Sequence, residues 1–172
     1  MKYKIQPTQQ ERVMREDDFI VSKTDLKGRI TYCNRIFVEF AGYNPSELLG
    51  AQHNIVRHPE MPRGVFKFLW DTVAQGKECF AYVKNMCRNG DYYWVFANIT
   101  PDLDAQGQPV GYFSVRRKAS PQAIAQITPL YQAMLAEEAR VGARDACDAS
   151  LALLTRTLQS KGVSYEQFVL SF

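Results

Sequence analysis

The sequence predicts an α+β domain: a five-stranded antiparallel sheet with short helices on one face, followed by C-terminal helices. Three observations carry this. Two β-rich runs, Phe19 to Thr24 and Arg29 to Asn34, flank the turn Asp25-Leu26-Lys27-Gly28. Three more runs, Phe80 to Cys87, Tyr92 to Thr100 and Val110 to Arg117, are joined by Arg88-Asn89-Gly90-Asp91 and Asp104-Ala105-Gln106-Gly107. Tight turns of this kind make hairpins, and hairpins pair antiparallel. Beyond Ser120-Pro121 the composition turns to Ala, Leu and Gln with no β-run.

Taken in order, residues 1–17 are polar and mixed in charge, forming an N-terminal cap that reads as a mobile arm or a short amphipathic helix carrying Val13 and Met14. Residues 18–119 hold the strands. Between the second and third strands, residues 35–41 predict a short helix ended by Gly42. Asn44-Pro45 opens another as cap and first position, with Gly50 at its end. Residues 53–62 are irregular, with two prolines. Val65, Phe66, Leu69, Trp70 and Val73 then recur at helical spacing until Gly76. In residues 120–172, Ser120 and Pro121 suit the start of a helix, Gly142 a break, and Gly162 and Ser164 the opening of a last helix, Tyr165 to Leu170. Small residues recur every third position there: Ala133, Ala136, Ala139 and Gly142, then Ala143, Ala146, Ala149 and Ala152. They serve either close helix approach or simple helix propensity. Leu151, Leu154 and Leu158, with Phe168 and Phe172, are expected to pack back on the sheet or across a dimer.

The 172 residues carry 46% apolar and 23% charged side chains, which excludes wholesale disorder. With 21 Lys+Arg and 18 Asp+Glu the net charge is +3, too mild to argue for nucleic acid or a membrane surface. The aromatic share of 12% fits an aromatic core or a flat ligand. Cys33, Cys79, Cys87 and Cys147 make no CxxC pair, and no apolar run reaches the roughly 18 residues of a membrane span. The expectation is a reduced, cytoplasmic protein without membrane insertion.

Several local words resemble the PAS sensor family: Thr24 to Thr31, Asn34 to Phe37, Gly42 to Gly50 and Asn85 to Trp94. The run His53-Asn54-Ile55-Val56-Arg57-His58-Pro59-Glu60-Met61-Pro62 is more specific. It resembles the FAD-binding PAS domains of bacterial aerotaxis receptors, over roughly residues 18–135. The resemblance implies a PAS fold, a bound FAD, a homodimer and a redox or oxygen signal passed to a separate protein. Two positions depart from that pattern: Glu60 stands where it has Asp, and Cys79 where it has Trp.

The residues can be weighed for that chemistry. On the third strand Ala81, Val83, Asn85 and Cys87 share a face that is apolar apart from Asn85, so its amide meets either a cross-strand partner or a ligand. On the last strand Tyr112, Ser114 and Arg116 share a face. Arg116 is either a strand-end arginine in water or, by resemblance, a cation at the flavin's redox-active edge. His53, Arg57 and His58 form a basic cluster on a loop, and Arg57 suits phosphate by its bidentate geometry. The resemblance adds His58 and Glu60, with Asn34 and Trp70 completing the cofactor-binding candidates. No Gly-x-Gly-x-x-Gly, metal-ligand spacing or catalytic constellation stands out, so neither an enzyme nor a metal site is expected. Blue-light PAS domains use a cysteine in the loop comparable to residues 51–62, which here has none. The alternatives are a haem-binding gas sensor with His53 or His58 as axial ligand, and a cofactor-free interaction module.

Overall fold

The computed structural model describes residues 5–172. Its strands are β1 (Ile20–Asp25), β2 (Ile30–Cys33), β3 (Cys79–Met86), β4 (Tyr92–Leu103) and β5 (Pro109–Lys118). Helices α1 (Arg35–Ala41), α2 (Pro45–Leu48) and α3 (Arg63–Ala74), with a 3-10 turn at His53–Val56, lie between β2 and β3. Helices α4 (Pro121–Val141), α5 (Ala146–Lys161) and α6 (Tyr165–Val169) follow β5. The strands form one antiparallel sheet in the order β2-β1-β5-β4-β3, so the two hairpin groups meet where β1 pairs with β5.

Register sets the two faces. Ser22 opposes Ser114, Ser114 opposes Ile99, Arg116 opposes Ala97, Val83 opposes Val95 and Asn85 opposes Tyr93. Because strand side chains alternate, these residues share one face, the one that α1 and α3 cover. Its core joins Ile20, Tyr93 and Val95 of the sheet to Phe37, Leu48, Val65, Leu69 and Val73 of the helices. Each of the short helices ends close to where the sequence places it: Gly42 takes the left-handed conformation after α1, at φ 71°.

The N-terminal expectation is corrected. Residues 5–17 contain no helix, and they are not a free arm. They run extended along the β3–β4 hairpin, with Thr8 N–H donating to Gly90 O at 2.8 Å and Arg12 N–H to Tyr92 O at 2.7 Å. Gly90 permits this approach, since a Cβ there would lie 2.1 Å from Gln6 O. Met14 is buried while Val13 faces water. Residues 1–4 of the cap lie outside the described residues.

The C-terminal helices cover the edge strand β3. An open strand edge is a site for unwanted pairing, and covering it removes that exposure. The Tyr131 hydroxyl donates to Tyr82 O at 2.7 Å. Tyr165 of α6 meets Phe68 of α3 with ring centroids 4.3 Å apart. Leu154 and Leu158 are buried, and Phe172 reaches Tyr82. Ala133, Ala136 and Ala139 face water, so that series reflects helix propensity. The close helix contact is made elsewhere, between Gly64 of α3 and Ser150 of α5.

Candidate functional site

A cavity of about 890 Å³ lies between the inner face of the sheet, α3 and the loop of residues 51–62. That is near the upper end of the range for ligand pockets, roughly 300–1,000 Å³. Val83, Ala97 and Ile99 of the strands and Leu69 of α3 supply apolar walls. Trp70 and Tyr112 meet edge to face at 5.3 Å on the same wall. The loop is tied in place by backbone pairing of Arg29 with Gln52 and of Arg57 with Asn85.

Asn85 is buried and lines the cavity. No side chain among the described residues bonds its carboxamide at ordinary hydrogen-bond length. Its neighbour on the facing strand, Tyr93, is fully buried with its own hydroxyl unpaired. With one N–H within reach of the Tyr93 hydroxyl, the carboxamide keeps its second N–H and its C=O for the cavity.

Arg116 is 2% exposed, lies against the cavity and has no carboxylate partner among the described residues. Its guanidinium donates to Ser22 Oγ through Nη2, stands 3.3 Å from His53 Nε2 through Nη1, and lies 4.5 Å above the Phe37 ring. Its Nε is buried without a partner. Burial lowers its pKa to about 10, which leaves it charged at neutral pH. A buried cation without an anion is costly unless a ligand supplies compensation.

His53 is held neutral. Burial, then the charge of Arg116, lowers its pKa to about 3. Arginine can only donate, so His53 Nε2 accepts from it and from the Ser22 hydroxyl at 3.2 Å, which puts the ring proton on Nδ1. His53 thus orients the guanidinium.

Arg57 also lines the cavity. Its Nη2 donates to Met61 O at 3.0 Å and its guanidinium lies 4.7 Å above the Phe66 ring. Burial lowers its pKa. So five of the sequence candidates, His53, Arg57, Trp70, Asn85 and Arg116, converge on one cavity.

Three others are not brought to it. Asn34 is wholly engaged in the backbone: its Oδ1 accepts from Val21 N–H and Phe37 N–H, and its Nδ2 donates to Phe19 O at 2.7 Å. It caps α1 and ties it to β1. His58 is buried outside the cavity wall, its Nδ1 accepting the Glu60 N–H at 3.1 Å and its Nε2 unpaired. Burial and Lys84 hold it neutral, with its pKa lowered to about 4. Glu60 is an exposed residue whose carboxylate pairs with Lys84, and that hydrogen bond lowers its pKa. Glu60 thus ties the loop to β3 through Lys84 and His58 braces the turn within the loop, while Arg57 reaches the cavity.

Sequence reasoning missed other wall residues. Ser22 and Thr24 share a strand face with Ile20, and two polar groups on a buried face were a usable signal. Thr24 Oγ1 is buried without a partner. Arg63, Lys67 and Cys147 stand at the rim, and only the fold brings Cys147 there. Cys79 lies off the cavity wall, and burial pushes its thiol up to about 12. Among the described residues there is no group of three metal-ligating side chains, and no helix is long and apolar enough to cross a membrane.

The chain is 43% identical over 127 residues to the aerotaxis receptor of Escherichia coli, which covers 74% of this chain and 25% of the receptor. It is 31% identical over 100 residues to a nitrogen fixation regulatory protein of Klebsiella pneumoniae, covering 58% of this chain and 20% of that one. The chain thus spans about a quarter or less of these relatives' lengths. Among solved structures, the light state of the blue-light photoreceptor Aureochrome1 LOV superposes with a TM-score of 0.55 at 24% identity, over 69% of this chain and 92% of that one. A light-oxygen-voltage domain studied with a flavin analogue gives 0.54 at 22% identity, over 72% and 87%. The PAS fold family is matched over residues 30–116, half of the chain and the whole span from β2 to Arg116, and the protein belongs to that family.

Proposed function

We propose that this domain binds FAD in the cavity and acts as a redox or oxygen sensor of the aerotaxis type, signalling through its flanking helices to a separate protein. One observation carries the reading: an apolar cavity of about 890 Å³ whose buried wall presents a carboxamide, Asn85, and a cation without an anion among the described residues, Arg116. An isoalloxazine ring is flat and apolar on its faces and alternates acceptors and a donor along one edge. Such a guest fits side chains of this kind. The resemblance of residues 53–62 to the aerotaxis-receptor loop, and the identity to that receptor, support the same cofactor.

A bound flavin supplies reversible electron uptake, which concentrates negative charge on one edge of its ring. Arg116 holds fixed positive charge at the wall where that anion is stabilised. Asn85 supplies both a donor and an acceptor. His53 keeps the guanidinium in place from the loop side, and Ser22 does so from β1. A change in the pull on Arg116 therefore reaches β1, the loop and β5, and β5 runs directly into α4 through Ala119 and Ser120. Such coupling requires contacts that differ between the two redox states. The haem reading is disfavoured, because the Nε2 of His53 is already engaged and His58 lies off the cavity wall.

The experiment is a spectrum of the purified protein, followed by chromatography of the extracted chromophore. The expected result is a two-band flavin spectrum, FAD on extraction, and lowered FAD content in Asn85→Ser with an unchanged circular dichroism spectrum. A Soret band, or a colourless protein that stays colourless after incubation with FAD, would overturn the proposal.

A further inference from the structure

The rim of the cavity carries charge that the reading above does not use. Arg63 opens α3 and Lys67 follows one turn later, a spacing that places both on one side of the helix. Both line the cavity with Arg57 and Lys27, against Asp71 as the acidic residue of that lining. Lys67 is held by Asp71 at 3.2 Å. Among the described residues neither Arg57 nor Arg63 pairs with a carboxylate. The exposed Arg63 guanidinium donates to Ala143 O at 3.3 Å, in the turn between α4 and α5. Glu138 is also near, but its carboxylate is engaged by Arg63 N–H at 2.6 Å and by the Ser150 hydroxyl at 2.7 Å.

A ligand that ended at its flat ring would gain little from this rim. A ligand with a diphosphate tail would meet guanidinium and ammonium groups that suit it, one presenting a bidentate fork and the other a point charge. Resting on the FAD reading, we infer that Arg63 and Lys67 grip the diphosphate of the bound dinucleotide. The rim, more than the ring pocket, then selects a dinucleotide over an uncharged flavin. Since Arg63 also bonds Ala143 O, the phosphate tail acts on the α4–α5 turn, and the C-terminal helices form part of the site.

The test measures binding of FAD and riboflavin to cofactor-free protein by flavin fluorescence, in the full chain and in Arg63→Gln and Lys67→Gln. Each lost charge-assisted hydrogen bond is expected to weaken FAD about 10-fold or more. Riboflavin affinity should stay unchanged, and added salt should weaken FAD alone. Lys67→Gln alters a side chain at the helix surface, so it keeps the test valid should Arg63→Gln loosen the turn. If both flavins lose affinity equally, or FAD loses none, the rim assignment fails while the FAD reading stands. If the unaltered protein binds neither flavin, both fall.

Discussion

The Gly64 N–H of α3 donates to the Ser150 hydroxyl of α5 at 3.0 Å, and that contact leaves no room for a side chain at position 64. A Cβ there would lie 2.3 Å from Ser150 Oγ and 2.6 Å from Leu151 N. Backbone cannot yield as a flexible side chain can, so Gly64→Ala must push α5 away from α3. The expected cost is about 1–3 kcal/mol, the usual range for overpacking. Urea titration should show a lower midpoint, and Ser150→Ala should lose less. A midpoint equal to that of the unaltered protein would mean that the two helices are not held at this distance in solution.

Glu138 supplies what α3 lacks in its own sequence. Pro62 sits at the N-cap and offers no side-chain acceptor. The Glu138 carboxylate, carried by α4, accepts from Arg63 N–H and from Gly64 N–H at 3.3 Å. Those amides are among the orphan donors of a helix start, and a negative charge there also suits the helix dipole. Glu138→Ala should cost about 1 kcal/mol, as loss of a cap does. Amide hydrogen exchange should speed up at residues 63–65 before it changes elsewhere. Unaltered exchange there would show that water replaces the carboxylate without loss.

These two contacts explain what was legible in the sequence and what was not. Strands and turns announced themselves locally, because Asn89-Gly90 and the Asp-to-Gly turns act over four residues, and so did Asn44 and Ser120 as caps. The inner face of β3 was readable from its period of two, which singled out Asn85. The basic loop 53–62 was readable as a cluster, yet its split was not: Arg57 turns to the cavity while His58 and Glu60 face Lys84. That outcome depends on the backbone pairing of Arg57 with Asn85, a contact between distant residues. The cap from Glu138 to residue 64 and the arrival of Cys147 at the rim are tertiary events with no local signature. Asn34 shows the converse. It carries a family signature, and its side chain is fully spent on the backbone.

His53 and His58 make the domain sensitive to acid. Both are kept neutral in the fold, with pKa values of about 3 and about 4 against an ordinary value near 6.5. Below pH 6.5 the unfolded chain takes up protons that the folded chain refuses. Stability therefore falls as pH drops from 6.5 towards 4, by about 1.4 kcal/mol per pH unit for each fully refused proton. Glu60, whose pKa is depressed by Lys84, adds a loss at the acid end of the same window. His53→Gln retains an acceptor for Arg116 and removes one of these protons. Its urea midpoint should fall less steeply between pH 6.5 and 4 than that of the unaltered protein. Parallel curves would show that His53 is protonated in the fold.

Arg116 is expected to have opposite effects with and without its anion. In the cofactor-free protein it is a buried cation that meets only Ser22, His53 and the Phe37 ring. Replacing a buried charge by an apolar side chain of similar length is often neutral or stabilising. Arg116→Met leaves Ser22 and His53 bonded to each other at 3.2 Å, so no acceptor is stranded. The apo variant should therefore unfold at the same urea concentration as the unaltered protein or at a higher one. In the proposed FAD complex, the same change would remove the positive charge offered to the reduced, anionic ring. The midpoint potential should become more negative, by about 30 mV for each 1.4 kcal/mol lost in a two-electron couple. A destabilised apo protein would make Arg116 a structural residue. An unmoved potential would place the reducible edge of the flavin elsewhere in the cavity.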